Sequence, residues 1–144
     1  MLKAALDELW NEGYKFSLNV YFTPTELSPY MNIHGRYSYD ELEAIMDETD
    51  LLICPSVLYE TFGYTVLEAL SFSVPVLVSD TVGAKDIIPD DCGKIFTDKE
   101  DLENIIRSLK TSELLSWNEN ITKAKIAFDV KNMVESLMNL YMER

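Results

Sequence analysis

Cys54-Pro55-Ser56-Val57-Leu58-Tyr59-Glu60-Thr61-Phe62-Gly63-Tyr64-Thr65-Val66-Leu67-Glu68-Ala69-Leu70 reads as the end of a strand, a loop, a glycine and then a helix. The glycine lets the backbone approach a ligand with no side chain in the way. The first turn of the helix behind it offers N–H groups that have no intrahelical partner, at the positive end of the helix dipole. Together they make an anion site suited to a diphosphate. Such a site works without lysine. That matters here, because between Lys15 and Lys85 the sequence holds a single basic residue, Arg36.

On either side of this stretch, strands and helices alternate. Leu2–Asn11 reads as a helix with Leu2, Ala5, Leu6 and Leu9 on one face and Gly13 as its stop. Residues 16–22 alternate like a strand, and Pro24 and Pro29 mark a loop after it. Residues 31–34 form a short strand that ends at Gly35. Ser38 and Glu41 have the spacing of a capping box for a helix over residues 38–47. Residues 51–54 and 75–79 are apolar runs of strand length, with the helix 63–72 between them. A short helix follows from Gly83 and stops by Pro89. Gly93–Phe96 gives the last strand, and Asp98 caps a helix to about residue 110. Residues 112–144 read as helical in two pieces broken near Phe128.

Several of these strands are continuous apolar runs, the pattern of a parallel sheet covered on both faces. The expected fold is therefore α/β: one Rossmann-like domain over residues 1–144, with helices on both faces of a parallel sheet. Ligands of such sheets bind beyond the carboxyl ends of the strands. This directs attention to the loops around Gly35-Arg36, Pro55 to Phe62, and Ser79 to Lys85.

Composition narrows the function. The 144 residues carry a net charge of −13, which makes nucleic acid and anionic membranes poor partners. No apolar run reaches the ~18 residues of a membrane span. Acids among the first residues do not fit a signal peptide, so the cytoplasm is the expected location. Cys54 and Cys92 have no neighbouring Cys or His at zinc-site spacing and read as small buried hydrophobes. His34 is the sole histidine, which leaves no choice of partners for a Ser-His-Asp triad.

The two glutamates differ in setting. From Thr61 to Ser79 the only charged residue is Glu68, on a helix expected to be largely covered. Thr65 and Glu68 share a face. If Val66, Ala69 and Leu70 pack on the sheet, that face points toward the loop, where a carboxylate could accept two hydroxyl hydrogen bonds, as a ribose offers. The alternative for Glu68 is a solvated helix position, for Glu60 an ordinary surface acid, and for Arg36 a surface or phosphate-facing residue.

The glutamates have seven residues between them. Their setting, Pro-Ser-x3-Glu-x-Phe-Gly-x4-Glu-Ala, resembles the signature of a large group of retaining GT-B glycosyltransferases, among them glycogen and sucrose synthases and bacterial mannosyl- and glucosyltransferases. The flanks resemble that group too. Ile33-His34-Gly35-Arg36 with residues 39–46 looks like its strand, glycine and helix before the signature. Val74-Pro75-Val76-Leu77-Val78-Ser79 looks like the strand after it, and residues 128–141 resemble its closing helix.

The resemblance implies a domain that binds a nucleotide-sugar donor, with no metal or other cofactor required. It implies Glu68 on the ribose hydroxyls and Glu60, the catalytic position, on the hydroxyls of the donor sugar. The N–H groups of Phe62 and Gly63 would face the sugar, and those of Tyr64 and Thr65 the phosphates. Gly35, Arg36 and Tyr37 would lie near the base. The sequence departs from the pattern at Ser73, where glycine is usual, at Val82, in place of the first of a glycine pair, and at Asp86, where glutamate is usual. The resemblance further implies an amino-terminal acceptor-binding domain, and an Arg and a Lys just before the helix matched by Leu2–Asn11; neither is expected within these 144 residues, since Lys3 lies inside that helix. The rival expectation is a non-catalytic subunit that binds a nucleotide or pairs with a separate acceptor domain. A phospho-receiver switch needs an acidic group at a strand end, where this chain has Cys54-Pro55-Ser56. Sugar-nucleotide epimerases share the architecture, but the glutamate pair favours transfer.

Overall fold

The computed structural model describes residues 1–124; the expected closing helix lies outside the described residues. Helix α1 (Leu2–Asn11) buries Ala5, Leu6 and Leu9. It ends in a Schellman motif. Gly13 takes φ +103°, its N–H bonds to the Trp10 carbonyl, and the N–H of Tyr14 bonds to that of Leu9. Strands β1 (Leu18–Val20) and β2 (Met31–Ile33) pair in parallel. A 3₁₀ turn (Tyr39–Glu41) leads into α2 (Leu42–Asp47). Then come β3 (Leu52–Cys54), α3 (Tyr64–Ser71) and β4 (Val76–Ser79). A 3₁₀ segment (Gly83–Ile87), β5 (Gly93–Phe96), α4 (Lys99–Ser108) and α5 (Thr111–Ala124) complete the order.

Among the described residues all strand pairs are parallel, in two ladders: β1 beside β2, and β3-β4-β5 with β4 in the middle. Side chains alternate across β4. Val76 and Val78 pack with Leu42 and Met46 of α2 and Val66, Ala69 and Leu70 of α3. Leu77, between them, packs with Ala5 of α1, Leu102 of α4 and Trp117 of α5. The expected α/β sheet with helices on both faces is thus the observed one. A continuous apolar run such as residues 75–79 follows from it, since each residue meets a helix layer whichever way it points. A third cluster, Leu6, Leu9 and Tyr30, joins α1 to the β1–β2 ladder. Asp7 ties the same elements together by accepting from Lys3, Ser28 and Tyr30, and these donors hold its carboxyl down at about 2.

Three elements differ from the sequence reading. The strand expected over 16–22 is hydrogen-bonded only over Leu18–Val20, because both flanking aromatics leave the ladder. Phe16 packs against Trp10 and Tyr30, and Tyr21 stacks on His34. The helix expected from residue 38 opens with a 3₁₀ turn, although the Glu41 carboxylate does accept from Ser38 N–H and Oγ. The helix expected from Gly83 is 3₁₀ throughout. Ile88, which precedes Pro89, is extended at ψ 118° and stops it before an α-helical turn can form.

Ser73 stands in the turn between α3 and β4 with φ +65°, a left-handed conformation that costs a residue with a Cβ ~1–2 kcal/mol. This explains the family's glycine at that place. Serine returns part of the cost. Thr122 Oγ1 lies 3.0 Å from Ser73 Oγ, and Asn118 Nδ2 donates to the Ser73 carbonyl at 2.7 Å, so α5 is fastened to the turn. Ser73→Ala keeps the strain and loses the hydroxyl contact; Ser73→Gly loses the contact and relieves the strain. Denaturant unfolding should therefore find Ser73→Gly the more stable of the two variants by about 1–2 kcal/mol, and equal midpoints would contradict the account.

Candidate functional site

The residues singled out in the sequence occupy two regions at strand ends. The first follows β3. Residues 55–59 leave the sheet and are held from beneath: Ser79 Oγ and Thr81 Oγ1 both donate to the Ser56 carbonyl at 2.7 Å. The chain then runs beside the segment that follows β4. Glu60 N–H bonds to the Thr81 carbonyl at 3.1 Å, Gly83 N–H to the Glu60 carbonyl at 2.9 Å, and Ala84 N–H to the Phe62 carbonyl at 2.5 Å. Glu60 is thus pinned through its backbone, while its side chain stays exposed. Its carboxylate lies near enough to Cys54 to add to the effect of burial in raising that thiol above its ordinary value.

Gly63 is the N-cap of α3, with φ 93° and ψ 66°, and no side chain caps the helix. A Cβ at Gly63 would stand 2.6 Å from Val82 Cγ1, 3.5 Å from Ala84 Cβ and 3.8 Å from Glu60 Oε1. Glycine is thus required twice, by conformation and by space. Val82, which departs from the family pattern, is fully buried beneath it. Among the described residues the N–H groups of Phe62, Gly63, Tyr64 and Thr65 donate to no acceptor. They stand at a helix N-terminus, with the Glu60 carboxylate beside Gly63.

On α3, Val66, Ala69 and Leu70 are buried, as the face assignment requires. Thr65 is exposed and Glu68 half-buried. Glu68 sits four positions beyond Tyr64, about 6 Å along the helix axis from the start of α3. Its carboxylate has no hydrogen-bond or ion-pair partner among the described residues. Asp86, another departure, is exposed on the 3₁₀ segment.

The second region lies at the carboxyl ends of β1 and β2. Gly35 turns the chain with φ +79° and an open space where a Cβ would be. Arg36 and Tyr37 are exposed and line a cavity of about 310 Å³ together with Tyr21, His34, Glu41 and Glu48. Ala44 and Ile45 of α2 form its apolar wall. Tyr21 and His34 are stacked, with centroids 4.9 Å apart and planes 18° apart, and Tyr37 meets Tyr21 edge-on at 5.3 Å. Burial, with the Glu48 carboxylate and then Tyr37 and Glu41, raises the Tyr21 hydroxyl above its ordinary value.

The structure therefore brings Glu60, Phe62, Gly63, Tyr64 and Thr65 together at one loop, with Glu68 a turn behind. It gathers Gly35, Arg36 and Tyr37 at the separate cavity. Sequence reading marks the loop from Ser79 to Lys85 but not the part that Ser79, Thr81 and Gly83 play in holding the Glu60 loop, and it misses Tyr21 and Glu48, which complete the cavity. Gly83 alone carries a legible signal, as a glycine four positions beyond the end of a buried strand. Among the described residues no group of three or more His, Cys, Asp or Glu is placed to hold a metal ion, and no helix is long and apolar enough to cross a membrane.

Comparison with known proteins adds to this geometry. The family model described as glycosyl transferases group 1 matches residues 12–126. A 41.2 kDa protein of the cps region of Klebsiella pneumoniae is 27% identical over 112 residues, covering 75% of this chain and 31% of that protein. The sulfoquinovosyl transferase SQD2 of Arabidopsis thaliana is 36% identical over 81 residues, covering 54% of this chain and 16% of the relative. Among solved structures, Anabaena Alr3699/HepE in complex with UDP-glucose superposes with a TM-score of 0.65 at 19% identity, over 99% of this chain and 37% of that one. The chain thus spans between 16% and 37% of the length of each of these proteins.

Proposed function

The chain belongs to the glycosyl transferases group 1 family, and on that premise we propose that it holds the nucleotide-sugar donor of a retaining glycosyl transfer, as the carboxyl-terminal half of a two-domain GT-B enzyme acting in the cytoplasm. The observation that carries this reading is the bare stretch of backbone at Gly63. Unpartnered N–H groups at the start of a helix meet there a carboxylate held beside the glycine by backbone bonds.

The diphosphate lies on the N–H groups of Tyr64 and Thr65, where the helix dipole favours negative charge. Phe62 and Gly63 N–H groups and the Glu60 carboxylate hold the sugar. Glu68 accepts from the ribose hydroxyls, and the base enters the cavity beside Arg36 and Tyr37. As the bond from the anomeric carbon to the diphosphate breaks, the charge that develops on the leaving oxygen falls on donors already fixed in place, the arrangement that stabilises a transition state most. The N–H groups, with an Arg and a Lys from just before the helix matched by Leu2–Asn11, perform this task without a metal ion. The other half also positions the acceptor hydroxyl.

The two glutamates separate experimentally. Ribose is present in every form of the donor, whereas Glu60 reads only the sugar. Calorimetry with a nucleoside diphosphate, with and without its sugar, should show Glu68→Gln weakening both ligands by about 1–3 kcal/mol. Glu60→Gln should weaken only the sugar-bearing one. Equal losses for the bare nucleotide from both variants would contradict the assignment.

A further inference from the structure

The cavity at the ends of β1 and β2 carries more information than a place for a flat ring. Its walls are aromatic and aliphatic, which suits any base. Its polar groups are Arg36, Glu41, Glu48 and His34, and they are not equivalent. The Glu41 carboxylate is engaged by Ser38, whose N–H lies 2.7 Å and Oγ 2.9 Å from Oε2. His34 Nε2 lies 3.1 Å from Asn19 Oδ1, which also accepts from Asn32 Nδ2. That ring nitrogen of His34 is therefore already engaged within the protein. Among the described residues Glu48 and Arg36 form no hydrogen bond or ion pair; each faces the same cavity with its charge unspent.

The bases differ in what they show to a carboxylate and a guanidinium. Uracil has one ring N–H between two carbonyl oxygens, so a carboxylate opposite it gains one hydrogen bond and faces a repelling oxygen on either side. Adenine offers an amino group beside a ring nitrogen that accepts. Guanine alone presents an N–H and an amino group side by side, the spacing of the two oxygens of a carboxylate. It also carries O6 and N7, the acceptor pair that a guanidinium grips with two N–H groups. We propose that this cavity selects guanine among donor nucleotides, with Glu48 accepting from N1–H and the N2 amino group and Arg36 donating to O6 and N7. The inference rests on the donor-site reading and adds to it the nucleotide class.

The negative character of the cavity points the same way. The Glu48 carboxylate acts on the Tyr21 hydroxyl ahead of the other charged groups near it. A base edge that presents two N–H donors to Glu48 relieves this field; the uracil edge, with a carbonyl oxygen on either side of its N–H, adds to it.

The test is competition calorimetry on the 144-residue chain with the diphosphates of guanosine, inosine, uridine and adenosine, repeated on Glu48→Ala. Inosine is guanosine without the amino group. Guanosine diphosphate should bind roughly tenfold or more tightly than the other three, the factor that one further hydrogen bond to a charged group carries. On Glu48→Ala, guanosine and inosine diphosphates should bind equally, and the uridine affinity should stay within about twofold of that of the unaltered chain. Circular dichroism checks that this exposed substitution leaves the fold intact. Uridine diphosphate binding as tightly as guanosine diphosphate to the unaltered chain would overturn the inference while leaving the donor site standing. A guanosine preference that survives Glu48→Ala would overturn the role of Glu48. Binding of none of the four would overturn the donor-site reading itself, and this inference with it.

Discussion

Given a broad set of nucleotide-sugars and acceptors, the 144-residue polypeptide is expected to transfer no sugar at a measurable rate, although it folds. Nothing among the described elements forms a second domain facing the loop of Glu60 and Gly63, and the chain covers about a third of the length of its relatives. The acceptor hydroxyl therefore arrives from bulk water. Orientation of two reactants is worth ~7–11 kcal/mol of barrier, which is five to eight powers of ten in rate. The departing diphosphate also lacks the Arg and Lys that the resemblance places just before the helix matched by Leu2–Asn11. One such stabilising group is commonly worth ~3–4 kcal/mol. Either deficit alone hides turnover. A donor-turnover assay that follows release of nucleoside diphosphate checks this, and transfer at an ordinary enzymatic rate would mean that the chain builds its acceptor site alone or by self-association.

Gly83→Ala is expected to disturb the site more than any other single methyl group. A Cβ at Gly83 would overlap the carbonyl oxygen of Thr61, lie 2.9 Å from its carbon and 3.3 Å from the Glu60 carbonyl oxygen. These are backbone atoms of the loop that carries the Glu60 carboxylate, and they cannot rotate aside. Relief requires the loop to move away, breaking the bonds from Gly83 N–H to Glu60 and from Ala84 N–H to Phe62. The stability cost should be about 1–3 kcal/mol. Donor affinity should fall with it, since Glu60 and the Phe62 N–H are displaced together. Gly13→Ala is the control. That glycine also has positive φ, +103°, but nothing lies within 4 Å of the added carbon. Its cost should be confined to backbone strain of ~1–2 kcal/mol, with donor affinity unchanged. Thermal unfolding and nucleotide-sugar titration of both variants check this; unaltered sugar binding in Gly83→Ala would show that the loop contact does not position Glu60.

The same contact marks where sequence reading stops. Local signals predicted α1 and β5 to the residue, because an apolar stripe closed by Gly13 and a strand opened by Gly93 are decided by neighbours within a few positions. The junction at Gly63 was legible for the same reason: its glycine, its helix and its buried Val66, Ala69 and Leu70 lie in one short stretch. The attachment of that stretch to residues 81–84 was not. It joins segments more than twenty positions apart through backbone groups, and no spacing in the sequence encodes such a meeting. The cavity was half-legible. Gly35, Arg36 and Tyr37 stand out beside a strand end, but Tyr21 reads as part of a strand, and Glu48, just past the helix over 38–47, carries no signal. Stacking on His34 takes Tyr21 out of the ladder and makes it a wall. The 3₁₀ segment after Val82 was read as an ordinary helix, although Pro89 already limited how far it could run.

Donor binding at the start of α3 is tested most directly by recording backbone amide resonances while the chain is titrated with a nucleoside diphosphate. The account predicts that the amides of Tyr64 and Thr65 move most, as N–H groups that take up phosphate oxygens must. The resonances of residues 34–37 and of Glu68 should shift at the same ligand concentration. Saturating nucleotide that leaves the amides of residues 62–65 in place, or that shifts a surface remote from Gly63, would contradict the account.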